Sequence, residues 1–137
     1  VYYIQYAHAR IASIFRKAHE KGFSAVDSKN VDLKHLNLHE ESNLARMLGE
    51  YPQVILECAK ELEPHKLSFY LLELSRAFQS YYSRGRTDER YMVVSDDPIR
   101  SGMKLYLLKN IQIVLQNALR VLGINAPDKM SREEDEF

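Results

Sequence analysis

Apolar side chains in this chain recur at the helical period almost everywhere, and no stretch alternates convincingly enough to build a sheet. That property confines the fold to packed helices. Between residues 2 and 21, Ile4, Ala7, Ile11, Ile14, Phe15 and Ala18 form one apolar stripe. Lys21 and then Gly22 end it, as helix C-termini prefer. A polar connection with the turn formers Ser24, Asp27, Ser28, Asn30 and Asp32 leads to Asn37, which with Glu40 resembles an N-cap pairing. A short helix through Leu44, Met47 and Leu48 then ends near Gly49. Pro52 opens a further helix carrying Ile55, Cys58, Ala59 and Leu62, because proline fits only a first turn. Pro64 opens the next, which carries Leu67, Leu71, Leu74, Ala77, Phe78 and Tyr81 to a break near Gly85. In the mixed segment that follows, residues 91–94 can pack back as an extended piece. The last helix, about 99–122, carries Leu108, Ile111, Leu115, Ala118 and Leu122, with Leu107, Val114 and Val121 beside them. Its arc is wide enough to touch several neighbours. The expected fold is an all-α, five-helix bundle without internal repeats.

A chain of 137 residues fits one domain with a respectable core, and 45% hydrophobic with 28% charged residues matches ordinary soluble globular protein. No apolar run approaches the ~20 residues of a membrane span, and no signal peptide is visible, so a cytoplasmic protein is expected. The chain opens at Val1 already inside an amphipathic segment, which points to a piece of a longer polypeptide with part of its function upstream. The single cysteine, Cys58, excludes an internal disulfide and shares a helical face with Ile55, Ala59 and Leu62, as a buried, inert thiol would.

Net charge is zero but unevenly spread. Residues 131–137 hold Glu133, Glu134, Asp135 and Glu136 against Arg132, so this tail carries −3 and the body, residues 1–130, carries +3. The tail has too little apolar content to pack, and disorder is expected there. Basic residues gather at Arg10, Arg16, Lys17 and Lys21, and again at Arg84, Arg86, Arg90, Arg100 and Lys104, the second group diluted by Asp88, Glu89, Asp96 and Asp97. Contacts with a phosphate backbone should therefore be local.

The first helix has a second stripe. Tyr3, Tyr6, Arg10, Ser13 and Lys17 fall roughly 120° from the apolar one by helical rotation. Such residues stack on unpaired bases and contact phosphates, and equally form a second packing surface for a partner helix. Arg10 is also suited to an internal ion pair with a glutamate of another helix. Tyr82 turns off the stripe that places Tyr81, Phe78 and Leu74 in the core, which makes it the better exposed stacking platform. His35 and His39 have the spacing of two imidazoles on one helix face, but further metal ligands are lacking, and no metal site is assigned. The acid pairs Glu40–Glu41 and Asp96–Asp97 lack apolar surroundings that would split their pKa values for acid–base work. With no glycine-rich phosphate loop or nucleophile elbow, nothing builds an active site, so neither catalytic residues nor a cofactor is assigned to this chain.

Three blocks, in order, carry a resemblance that covers residues 1 to about 130. YYIQYAHARI at the start, EPHKLSFYLLELSRAFQSYY in the middle and NALRVLGINAPDKM at the end resemble the C-terminal, DALR-type anticodon-binding domain of arginyl-tRNA synthetases. The four-letter signature stands here as Asn117-Ala118-Leu119-Arg120, with Asn for the usual acid. The resemblance implies a bundle of the class I synthetase anticodon-binding type over residues 1–130, with 131–137 as an acidic tail. It implies binding of the tRNA-Arg anticodon loop. It also implies a separate N-terminal catalytic domain that joins arginine to tRNA with ATP and magnesium; neither membrane nor DNA is an expected partner. The HIGH motif is absent, and Lys129-Met130-Ser131 matches the start of KMSKS only by coincidence. Family residues that touch the anticodon correspond to Tyr3, Tyr6, Arg10, Tyr82, Arg86 and Met130. Arg86 stands where some relatives place an aromatic, Met130 is followed by seven further residues, and Gln79 replaces a usual histidine. Every arginine codon has G in the middle, so the matching anticodon base is C, which tyrosine can stack while hydrogen bonds to the base edge select it.

Overall fold

The broadest apolar arc of the sequence becomes the centre of the fold. In the computed structural model, which describes residues 1–130, the last helix buries Leu105, Leu108, Ile111, Leu115, Ala118 and Leu119 completely, and it packs against all three others. Those others are α1 (Tyr2–Glu20), α2 (His39–Glu61) and α3 (Pro64–Arg84), with α4 running Pro98–Val121. Short 3-10 turns at Ser28–Asn30, Leu33–His35 and Glu89–Tyr91 join them. No strand forms among the described residues, and none of their helices is long and apolar enough to cross a membrane. Gly22 and Gly123 follow α1 and α4 with φ of +80° and +75°, the left-handed stop expected of them. Val121, placed on the core arc by spacing, is exposed at the helix end.

The bundle therefore has four α-helices where the sequence predicts five. The break expected at Gly49–Pro52 does not occur, and α2 runs unbroken through Pro52. Proline removes one backbone donor and crowds the preceding turn. Here it lies on the exposed side, while Leu44, Met47, Leu48, Tyr51, Val54, Ile55 and Cys58 continue one packed stripe on both sides of it. Tyr70 of α3 holds the turn that leads into Pro52. Its hydroxyl donates to the Met47 carbonyl at 2.7 Å, and its ring stacks on Tyr51 with centroids 5.9 Å apart. Packing thus overrides the local breaker. The true break falls at Leu62, whose φ of +55° turns the chain so that Pro64 opens α3. Cys58 is half-buried rather than sealed.

The start of α2 also differs from expectation. Leu38 is the N-cap, not Asn37, and Glu41 reaches back to the Leu38 N–H at 3.1 Å. His35 closes a 3-10 turn and His39 opens α2, so the two imidazoles do not share a helix face. Glu41, expected to lack the surroundings that would perturb a carboxyl, is instead only 1% exposed. Its carboxylate accepts from the Tyr81 hydroxyl at 2.6 Å and from the buried Lys104 ammonium. Burial lowers the pKa of Lys104, with the Glu41 hydrogen bond opposing it, and burial together with Glu41 raises that of Tyr81. Next door, Glu40 accepts from the Tyr91 hydroxyl at 2.8 Å and pairs with Arg84. Burial disfavours its charge, yet those hydrogen bonds hold the carboxyl below the usual carboxylate range. Residues 91–94 pack back as expected, with Tyr91 and Val93 buried and Met92 facing out.

Burial, reinforced by Glu50 and Tyr51, pushes the Tyr70 hydroxyl up to about 12. Its folded pKa lies above its unfolded one, so this contribution is complete below pH ~10 and is lost as pH rises towards ~12. In alkaline urea titrations the stability advantage of the parent chain over Tyr70→Phe should shrink by about 1.4 kcal/mol per pH unit across that window. A constant difference would contradict the assignment.

Candidate nucleic-acid interface

The second stripe of α1 divides in the structure. Arg10 and Ser13 turn inwards, at 7% and 5% exposure, while Tyr3 stays 40% exposed and Tyr6 is half-buried. Arg10 reaches across to α3. It donates to Gln79 Oε1 of α3 at 2.7 Å, and its guanidinium lies 4.9 Å from the centroid of the Tyr82 ring. Tyr82 in turn stacks beside Phe78, centroids 6.2 Å apart and planes 27° from parallel. A buried cation beneath a half-exposed ring fixes the ring's tilt and presents its outer face. Residue 79, noted only as a departure from the family pattern, thus helps to seat Arg10.

Tyr81 and Tyr82 illustrate why neighbouring residues diverge. Helical rotation puts about 100° between them. Tyr81 is fully buried on Glu41, and Tyr82 emerges at the end of α3. Gly85 then lets the chain turn tightly, because a Cβ there would meet the carbonyl oxygens of Tyr82 and Tyr91 at 3.2 Å. The turn leaves a cavity of about 230 Å³ lined by Ile14, Tyr82, Met92 and Val94, with Lys17, Lys21 and Arg86 as its cations. Apolar walls carrying cations suit a flat aromatic ligand attached to phosphates.

Of the six residues expected to touch a ligand, Tyr82 and Arg86 line this cavity, and Arg10 lies against the Tyr82 ring. Tyr6 and Tyr3 continue the line along α1 towards its N-terminus, Tyr6 receiving a hydrogen bond from Tyr2 at 3.2 Å. The backbone leading to Met130 takes another flank of α1. Gln5 Nε2 donates to the Asn125 carbonyl at 2.9 Å, His8 Nδ1 to that of Pro127 at 2.8 Å, and Arg16 to that of Asp128 at 3.1 Å. Met130 itself is half-buried, and the acidic tail 131–137 lies outside the described residues.

The second basic group thins out on inspection. Lys104 is buried on Glu41, Arg84 pairs with Glu40 while covering Tyr91, and Arg90 is held by Asp88 at 2.7 Å. Arg86 keeps its charge without an ion pair among the described residues. Sequence alone could not sort these, because pairing depends on which helices meet.

An all-helical bundle that presents tyrosine over arginine beside a cation-lined cavity is the architecture of an anticodon-binding domain. The chain belongs to the DALR anticodon binding domain family, which it matches over residues 4–130. Among its relatives, the arginine–tRNA ligase of Syntrophotalea carbinolica is 44% identical over 130 residues, covering 95% of this chain and 22% of that protein. The arginine–tRNA ligase of Anaeromyxobacter sp. (strain K) is 38% identical over 134 residues, covering 98% of this chain and 22% of the relative. Among solved structures, Thermus thermophilus arginyl-tRNA synthetase matches with a TM-score of 0.78 and 34% identity, over 93% of this chain and 21% of that one. Arginyl-tRNA synthetase from Plasmodium falciparum shares the fold at a TM-score of 0.69 and 23% identity, over 93% and 21% of the two chains. The chain thus spans about a fifth of the length of these relatives.

If Gln79 seats Arg10, then Gln79→Leu should lower stability by about 1–3 kcal/mol in urea unfolding, the cost of removing a partner from a buried donor. An unchanged midpoint would show that Arg10 is held by other means.

Proposed function

We propose that this chain binds the anticodon loop of tRNA-Arg as the C-terminal module of an arginine–tRNA ligase. In this reading an N-terminal catalytic part, working in the cytoplasm, joins arginine to the tRNA. That part would hold ATP and magnesium, since the present chain offers no phosphate loop. The observation that supports the reading best is the Arg10–Tyr82 pair at the edge of a cavity with Lys17, Lys21 and Arg86, on a chain of this family.

The physical sequence is short. An unpaired anticodon base leaves its stack and lies on the outer face of Tyr82, whose tilt Arg10 sets from below. Tyr6 and Tyr3 offer further stacking faces along α1, and Met130 adds apolar contact. Arg86, Lys17 and Lys21 neutralise neighbouring phosphates. Stacking tolerates any base, so preference for C must come from hydrogen bonds to its edge.

Tyr6→Ala and Tyr82→Ala should each weaken binding of tRNA-Arg by ~1–3 kcal/mol while the far-UV circular dichroism stays unchanged. Parent affinity should fall steadily with log salt. Full affinity in both variants, or a salt-independent Kd, would instead favour docking of the tyrosine stripe on a protein helix.

A further inference from the structure

We infer that a cleft on the other side of the Glu89–Tyr91 turn holds a backbone phosphate of the same RNA, a second anchor beyond the aromatic ledge. This rests on the tRNA-binding reading above. The cleft has a volume of about 380 Å³, and its lining includes Lys34, His35, Asn37, Arg90, Arg100 and Lys104. Every ionisable group in that lining is basic.

Two of the neighbouring acids are held in ion pairs, Glu41 by Lys104 and Asp88 by Arg90. Asp32 and Asp97 keep their charge and turn an oxygen to the backbone N–H of Lys34 and those of Ile99 and Arg100. What is left over is Lys34 and Arg100, both exposed and without an ion pair among the described residues. Arg100 also stands one helical turn from Lys104, and like charges at that spacing repel. An anion between Lys34, His35 and Arg100 offsets that repulsion and gains the Asn37 amide as a further donor.

The ligand is identified by position. Arg90 lines this cleft, and Tyr91 to Val94, the residues that follow it, line the aromatic cavity. A chain of phosphates leaving the cavity past Arg86 meets the second cleft across a single turn of backbone. A small free anion would gain from one cleft alone; an RNA backbone engages both and makes them additive.

The test uses the full chain carrying Lys34→Gln and Arg100→Gln together, with Tyr82→Ala as comparison, and tRNA-Arg titrated across salt concentrations. Loss of two phosphate contacts should reduce the slope of log K against log salt by about 2 and weaken binding at low salt. Tyr82→Ala should lower affinity with the slope kept. An unchanged slope in the double variant, with Tyr82→Ala still weakening binding, overturns the second anchor and leaves the proposed function standing. Failure of the parent chain to bind tRNA overturns both. Loss of heparin binding with an intact tRNA slope assigns the cleft to another polyanion and also overturns the inference.

Discussion

The carboxylate of Glu41 receives three hydrogen bonds from three directions: the Leu38 backbone, the Tyr81 hydroxyl and the Lys104 ammonium. Those groups belong to the first turn of α2, the last turns of α3 and the second turn of α4. An ion pair this deep contributes little net stability, because desolvating both charges offsets most of their attraction. Its effect is on register. A slip of α2 or α4 leaves a buried charge unpaired, at a cost of about 3–5 kcal/mol. A slip of α3 costs Glu41 the Tyr81 hydroxyl. Apolar packing alone would tolerate several nearly equivalent arrangements of four helices.

The candidate interface inherits its geometry from that node. Tyr81 anchors the end of α3, so Tyr82 must leave the core on the side where α1 passes, and there Arg10 lies beneath its ring. Glu40, adjacent to Glu41, holds Arg84 and Tyr91, which fixes the start of the 91–94 segment that walls the cavity. Charges used internally in this way are withdrawn from the surface, leaving a local set of cations rather than a broad basic face.

Much of this was legible from the residues. Helical period located α1, α3 and α4 and both glycine stops, and the one-residue offset between Tyr81 and Tyr82 separated core from platform. The helix count failed at Pro52, where a local breaker competes with a tertiary clamp that only the Tyr70 side chain reveals. Glu41 was illegible for a related reason: a carboxylate between Glu40 and Ser42 at a helix start reads as solvated until Lys104, 63 residues away, is brought against it. Arg10 looked like either a ligand contact or a buried structural arginine. It is buried and lies against the Tyr82 ring. Family resemblance supplied the six candidate positions, but not the fact that Tyr82 and Arg86 line one cavity while the backbone leading to Met130 runs along another flank of α1.

The central claim is that Tyr82 presents its outer face to an anticodon base while Tyr81 and Tyr70 remain structural. Fluorotyrosine incorporation, with resonances assigned by single Tyr→Phe variants, tests it directly by fluorine NMR. Adding an anticodon stem-loop of tRNA-Arg should shift the Tyr82 resonance and leave those of Tyr70 and Tyr81 in place. A Tyr82 resonance that does not move, or Tyr70 and Tyr81 resonances that move as much, would contradict the account.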